Sequence, residues 1–444
     1  MRPVPNQQIR NRTFLRIRRR DWLITRIHLL IALVVAIVCT NAYSRDLTAS
    51  RSLDEQMKTY QELVKNNPRN VSALNKLAYV YIRKVRQTVD FSYNVSAEKL
   101  LRQALTIAPQ NYDSLLYLSI VQMAQHRFAD ARDLALKAIA ANSYGSGAYG
   151  ILGDAYYELG DYEHCADAYD KMGDLKPGAP YYARASSYVA LAGNPAEAIE
   201  MMKEALEASN PEDSEDYSWY LLQLGNLSFD SGKTSEAESY YRQSLQLNPG
   251  SYNALAGMAR VKTAKGELKE AIALYEKAVA IVPMPEFAAS LGDIYMSSGR
   301  TAEAEQQYAL VEYIGQISKI NQEIYNRQIA MFYADHGRKL EEALKLAQNE
   351  IAIRKDVYGY DALAWCLYKN GKITEAEKAI QEALRMKTKD AKLMYHAGMI
   401  YAAANRPAEA NAYLKKALAI QPHFHPLYAR EAEKMIQKTI VKRS

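Results

Sequence analysis

Residues 266–283 read "GELKEAIALYEKAVAIVP", and residues 405–422 read "NRPAEANAYLKKALAIQP". Aligned end to end, the two eighteen-residue stretches agree at eight positions. Glu270 falls on Glu409, Ala271 on Ala410, Lys277 on Lys416, Ala278 on Ala417 and Pro283 on Pro422. Each stretch reads as a helix that a proline ends, because proline cannot donate to the helix and biases the residue before it out of helix. The same helix is therefore written twice, 139 residues apart.

It is written more than twice. A small residue, a large or aromatic residue four positions on, a usually small residue after three more and a proline after five more recur along the chain. The pattern appears as Ala97, Leu101, Ala104, Pro109; as Cys165, Tyr169, Met172, Pro177; and as Ala237, Tyr241, Ser244, Pro249. Before each lies a second helical stripe, such as Tyr149, Leu152, Gly153, Tyr156 or Ala288, Leu291, Gly292, Tyr295. Short polar turns, "ELGDYEH" (158–164), "SSGRTAE" (297–303) and "KNGKITE" (369–375), separate the stripes.

The arrangement resembles the tetratricopeptide repeat, a helix-turn-helix unit of 34 residues. Repeat ends fall at Pro68, Pro109, Ser143, Pro177, Asn210, Pro249, Pro283, about Gln316, about Lys355, Thr388 and Pro422. The resemblance implies an all-α, right-handed superhelical solenoid of about ten units over residues 69–422, preceded by an N-terminal apolar helix. Residues 45–68 read as a lone initiating helix and 423–444 as a C-terminal capping helix. The period is broken by insertions at 83–94, at 211–220 and within 315–341. Small residues let the two helices of a unit approach, and large ones, here often tyrosine, fill the gaps. Tyr156, Tyr169, Tyr241, Tyr275, Tyr295 and Tyr308 are accordingly expected to pack. A single unit cannot bury its apolar face alone, so stacking makes one continuous core.

The 444 residues, 49% hydrophobic and 24% charged, suffice for a large core. The net charge of +6 is concentrated in the basic arm 1–28, where eight arginines meet one acid, Asp21. The other 416 residues sum to −1. A nucleic-acid footprint over the fold is therefore not expected. The arm runs into residues 29–44, within a segment in which twelve of the thirteen residues from Ile27 to Cys39 are apolar. This reads as a transmembrane anchor through residues 22–44, with the repeats on the extracytoplasmic, periplasmic side of a cell membrane. The alternative is a cleaved signal and a secreted or periplasmic chain. Cys165 and Cys366 are expected not to pair, on the argument that each unit touches only its neighbours.

No phosphate-binding, metal-binding or triad motif occurs, so no catalytic residue, cofactor, metal or small-molecule substrate is expected. His126, His164, His336 and His396 are scattered over different repeats, and His423 and His425 lie beside prolines. The family resemblance implies binding of proteins or peptide segments in a concave groove. By the same resemblance, the groove-facing positions of repeats 3–7 include Asp154, Tyr157, Trp219, Asn226, Phe229, Arg260, Asp293 and Met296. The expected role is a protein-protein interaction scaffold for a cell-envelope assembly, secretion or surface-polymer export machine. A cytosol-facing import receptor or co-chaperone is the alternative. It would need a Lys/Asn/Arg clamp, yet the corresponding pairs, from Asn75/Tyr79 to Ala256/Arg260, form no such set.

Overall fold

The computed structural model describes residues 52–321 and 326–441, and all regular structure among them is helical. A lone helix, Leu53–Asn66, opens the stack; Ser52 caps it in a reciprocal box with Glu55. Ten helix pairs follow, each with an inner helix A and an outer helix B. They are Val71–Thr88 with Ser92–Ile107, Tyr112–Ala124 with Phe128–Ala141, Ser146–Leu159 with Tyr162–Leu175, Ala179–Leu191 with Pro195–Ala208, and Ser214–Asp230 with Thr234–Leu247. The second five are Tyr252–Ala264 with Leu268–Ile281, Pro285–Ser297 with Thr301–Asn321, Asn326–Asp335 with Leu340–Ile353, Val357–Lys369 with Ile373–Ala383, and Ala391–Ala403 with Pro407–Ile420. We number these repeats 1 to 10. A final helix, Tyr428–Val441, lies on the last pair.

Local chemistry starts and stops these helices. Asn70, Asn111, Asp213, Ser251, Asp356 and Asp390 each accept a backbone N–H at the start of a helix A. Inside a unit, the glycine of helix A is a seat for an aromatic ring of helix B. A Cβ on Gly153 would lie 2.3 Å from the ring of Tyr169, and one on Gly292 2.5 Å from that of Tyr308. Tyr241 is fully buried between two such glycines, Gly225 of its own unit and Gly257 of the next. The expected packing tyrosines Tyr169, Tyr241, Tyr275, Tyr295 and Tyr308 are buried, and Tyr156 packs half-buried against the core. At most steps successive helices A pack directly on one another, as successive helices B do not, which makes the A layer the inside of the curve.

The solenoid does more than stack neighbours. The A-to-B turns of repeats 3, 4 and 5 rest on the ends of helix B in repeats 8, 9 and 10. At the first step, Arg354 Nη1 donates to Glu158 Oε2 at 2.6 Å, and the Val357 N–H donates to Tyr162 Oη at 2.9 Å. At the second, Thr388 Oγ1 donates to the Leu191 carbonyl at 2.6 Å. At the third, Gln421 Nε2 donates to the Phe229 carbonyl at 2.7 Å. These partners are 192 to 197 residues apart, five repeats on. The coil of the ribbon thus closes on itself along a seam. One core cluster accordingly joins Tyr162, Cys165 and Leu191 to residues of repeats 6–10.

The seam corrects the argument used for the cysteines, since units five apart do meet. Cys165 and Cys366 are nonetheless both free and buried. Burial pushes both thiols well above the ordinary range. The single-pass membrane placement is also corrected. Among the described residues no helix is long and apolar enough to cross a membrane. Even the longest, Thr301–Asn321, carries Glu303, Glu305 and Glu312 along its length. The arm 1–28 and the segment 29–44, with the N-terminal apolar helix expected there, lie outside the described residues.

Candidate functional site: the inner face

The inner face is built from one recurring relay. A tyrosine of helix B donates its hydroxyl to a polar residue of helix A fifteen positions earlier. Tyr169 reaches Asp154 at 2.9 Å, Tyr241 reaches Asn226 at 2.8 Å and Tyr308 reaches Asp293 at 2.9 Å. The carboxylates then take a donor from a later helix A. Asp154 accepts two bonds from the Arg184 guanidinium, at 2.8 and 2.9 Å. One turn beyond Asn226, Asp230 takes Arg260, whose guanidinium lies over the Phe229 ring at 4.3 Å. Asp335 takes Trp365 Nε1 at 2.7 Å and Lys392 Nζ at 2.9 Å, and Asp361 takes His396 Nδ1 at 2.9 Å. Buried carboxylates need such partners, since an unpaired one costs several kcal/mol (about 3–5 when a pair is broken).

Asp293 is the most heavily committed. Besides Tyr308 it holds His336 Nε2 at 2.8 Å and His425 Nε2 at 3.1 Å. Burial opposes its charge, but the bonds from His336 and His425 win and hold the carboxyl well below the usual range. Burial likewise opposes protonation of His336, and the Asp293 bond overrides it, raising its pKa above the ordinary value. His425, just before the final helix, thereby ties the chain after repeat 10 back to repeat 7. Among the described residues, no group of three or more His, Cys, Asp or Glu is placed to hold a metal ion.

The eight expected groove residues therefore divide. Asp293 and Phe229 are buried and engaged inside the fold. Asp154, Asn226 and Arg260 sit on the inner layer with partners already in place. Tyr157 and Met296 are half-buried against the core. Trp219 is 45% exposed, its ring edge-on to Tyr220. Two further exposed aromatics of helices A lie outside the expected set, Tyr79 beside Tyr117 at 5.3 Å and Tyr358 in repeat 9, 36% exposed; Tyr79 enters the sequence reading only as a position of the absent clamp. The sequence reading missed the relay, although the fifteen-residue spacing of Asp154 and Tyr169, Asn226 and Tyr241, Asp293 and Tyr308 is visible in the chain. The carboxylates are not balanced everywhere. Asp390, the cap of the repeat 10 helix A, has its carboxyl pushed up by burial, with Asp230 and Asp361 adding to the rise.

Comparison with known proteins follows the same periodicity. Family models described as tetratricopeptide repeat match residues 118–180, 178–250, 228–291 and 362–423. "Uncharacterized protein ycf37" of Pyropia yezoensis is 38% identical over 58 residues, covering 13% of this chain and 33% of that one. "TPR repeat-containing protein YpiA" of Bacillus subtilis (strain 168) is 29% identical over 168 residues, covering 37% of this chain and 38% of that one. The chain thus spans little more than a third of the length of these curated relatives. A solved tetratricopeptide repeat protein from Parabacteroides merdae is 20% identical, with a TM-score of 0.34 over 59% of this chain and 98% of that one.

Proposed function

We propose that this chain, which belongs to the tetratricopeptide repeat family, is a scaffold that holds a partner protein by an extended segment laid along the inner face. Repeats of this family bind other proteins or peptides, and such a scaffold is typically non-enzymatic. The observation that carries the reading is the contrast on the inner layer. Its carboxylates and cations are mostly consumed by one another, while Trp219, Tyr79 and Tyr358 keep exposed rings. Exposed aromatic rings are the usual energetic anchors of a protein interface. The seam closes the coil at repeats 3–5, so a segment would enter along the superhelical axis.

The test uses Trp219→Ala and Tyr358→Ala, singly and together. Arg260 is a poor probe, because a change there leaves Asp230 unpaired and uncovers Phe229. Co-purification of partners should fall about tenfold or more for the double variant, the loss of one or two anchors. Its melting temperature should stay within a few degrees of wild type. Undiminished partner recovery would remove the inner face as the binding surface. We extend the proposal to an assembly, secretion or surface-polymer export machine of the cell envelope on the order of residues 1–44 alone, arginine-rich and then apolar. Cross-linking in intact cells tests that extension. Subunits of such a machine should be recovered, and recovery of chaperones alone would favour the co-chaperone alternative.

A further inference from the structure

The seam that is shut at repeats 3–5 stands open at repeat 1. There the A-to-B turn faces the end of helix B of repeat 6 and the side of helix B of repeat 7 across a cleft of about 370 Å³. Val89 and Phe91 line one wall; Ile281, Met284, Tyr313 and Ile317 line the other. The walls are apolar and uncovered: Tyr313 is 59% exposed and Ile281 47%.

Three features show that the cleft departs from the repeat by construction. Where repeats 3, 4 and 5 place Gly160, Gly193 and Gly232 against the opposing backbone, repeat 1 places Val89, held at φ +57°. A β-branched side chain rarely adopts that conformation. Here it adds apolar surface where glycine would have let the edges meet. Second, the cleft is made by the insertions. The 83–94 insertion prolongs helix A of repeat 1 to Thr88, and helix B of repeat 7, which carries Tyr313, is prolonged far enough to add Ile317. Third, the 211–220 insertion buttresses the same end: Glu215 and Asp216 approach Arg83 and Arg86 at 3.8 and 3.9 Å.

The chain itself supplies a matching occupant at this place. Its described part begins at Ser52, and Asp54 Oδ1 lies 2.8 Å from Lys84 Nζ. Lys84 is one helical turn before Thr88, at the rim of the cleft. The apolar run ends at Cys39. Residues 40–51 can span up to about 40 Å, far more than one turn requires. We infer that the cleft between repeat 1 and repeats 6 and 7 receives apolar side chains of this chain's own segment Ile27–Cys39. Such docking would cover the exposed patch with an apolar run of the same chain, and the short connection would raise their effective concentration. The inference stands apart from the partner reading, because it involves neither Trp219 nor Tyr358.

Cys39 provides the test in the full chain, since Cys165 and Cys366 are buried. Maleimide labelling of Cys39 is timed at sub-micromolar protein in detergent-free buffer. The double variant Ile281→Arg with Tyr313→Arg is compared with wild type, and both positions are exposed enough to accept the charge without unfolding. Docking predicts that wild-type Cys39 reacts at least tenfold more slowly than a free thiol and that the double variant loses the protection. In addition, the single variant Tyr313→Cys should form an intramolecular bismaleimide cross-link to Cys39. Free reactivity in wild type, protection unchanged by the arginines, or a cross-link only between two chains would overturn the inference. So would a chain that stays in solution only with detergent or floats with phosphatidylcholine vesicles through this run.

Discussion

At the scale of single residues, Asp293 shows why a groove position cannot be assigned from register alone. Its place on helix A marks it as groove-facing, but Tyr308, His336 and His425 turn it inward. These partners lie 15, 43 and 132 residues away, so only the first is within reach of a local pattern. The same cluster predicts a pH signature. His336 has a folded pKa above 6.5, so its contribution is full below about 6.5 and fades as pH rises through the raised value. Asp293 has a folded pKa below 3.8, so its contribution is present above about 3.8 and fades as pH falls. Asp293→Asn should therefore cost most, about 3 kcal/mol, between these limits. Thermal melts of wild type and variant from pH 4 to pH 9 should show the gap narrowing towards pH 9; a gap that is constant with pH would mean His336 carries no charge in the fold. His126 acts oppositely. Burial, with Arg354 and Arg327 nearby, pushes it down to about 4, so its contribution is present above about 6.5 and lost on acidification.

At the scale of elements, the sequence discloses the helices, their pairing and their packing glycines, because each depends on neighbours within one repeat. Gly153 and Tyr169 are sixteen residues apart and already say that a ring lies on a bare backbone. The turn glycines are different. Gly160, Gly193, Gly232, Gly266, Gly299, Gly337 and Gly371 all have positive φ and look equivalent in sequence. The fold separates them. A Cβ on Gly160 would lie 2.2 Å from the Lys355 carbonyl oxygen, whereas one on Gly299 would meet nothing within 4 Å. Gly299→Ala should cost only the left-handed strain, about 1–2 kcal/mol. Gly160→Ala should cost clearly more and should expand the particle, as read by small-angle scattering. Equal losses in denaturant melts would mean the two turns see the same surroundings and the seam is not formed. The insertions follow the same logic: their lengths are legible as broken periodicity, but their meeting through Arg83 and Glu215 is set by the coil.

At the scale of the whole molecule, the seam changes how stability should be distributed. In a simple solenoid each repeat feels only its neighbours, and a lesion in repeat 8 leaves repeat 3 untouched. Here Arg354 of repeat 8 is buried between Glu350 of its own helix and Glu158 of repeat 3, with its guanidinium 5.2 Å from the Phe128 ring centre of repeat 2. Replacing it by methionine keeps much of the volume but leaves Glu350, itself buried, without its cation. Loss of one partner of such a pair costs about 3–5 kcal/mol. The location of the loss is more informative than its size. Arg354→Met should accelerate amide exchange not only at 350–357 but also at 158–162, nearly two hundred residues earlier. Exchange at Gly299 and its neighbours, which face no opposing turn, should stay as in wild type. Faster exchange confined to repeats 7–9 would show a one-dimensional array whose coils merely lie close. Acceleration at repeat 3 would instead show that the two coils fold as one body, because the perturbation has crossed five repeats through the seam rather than along the chain.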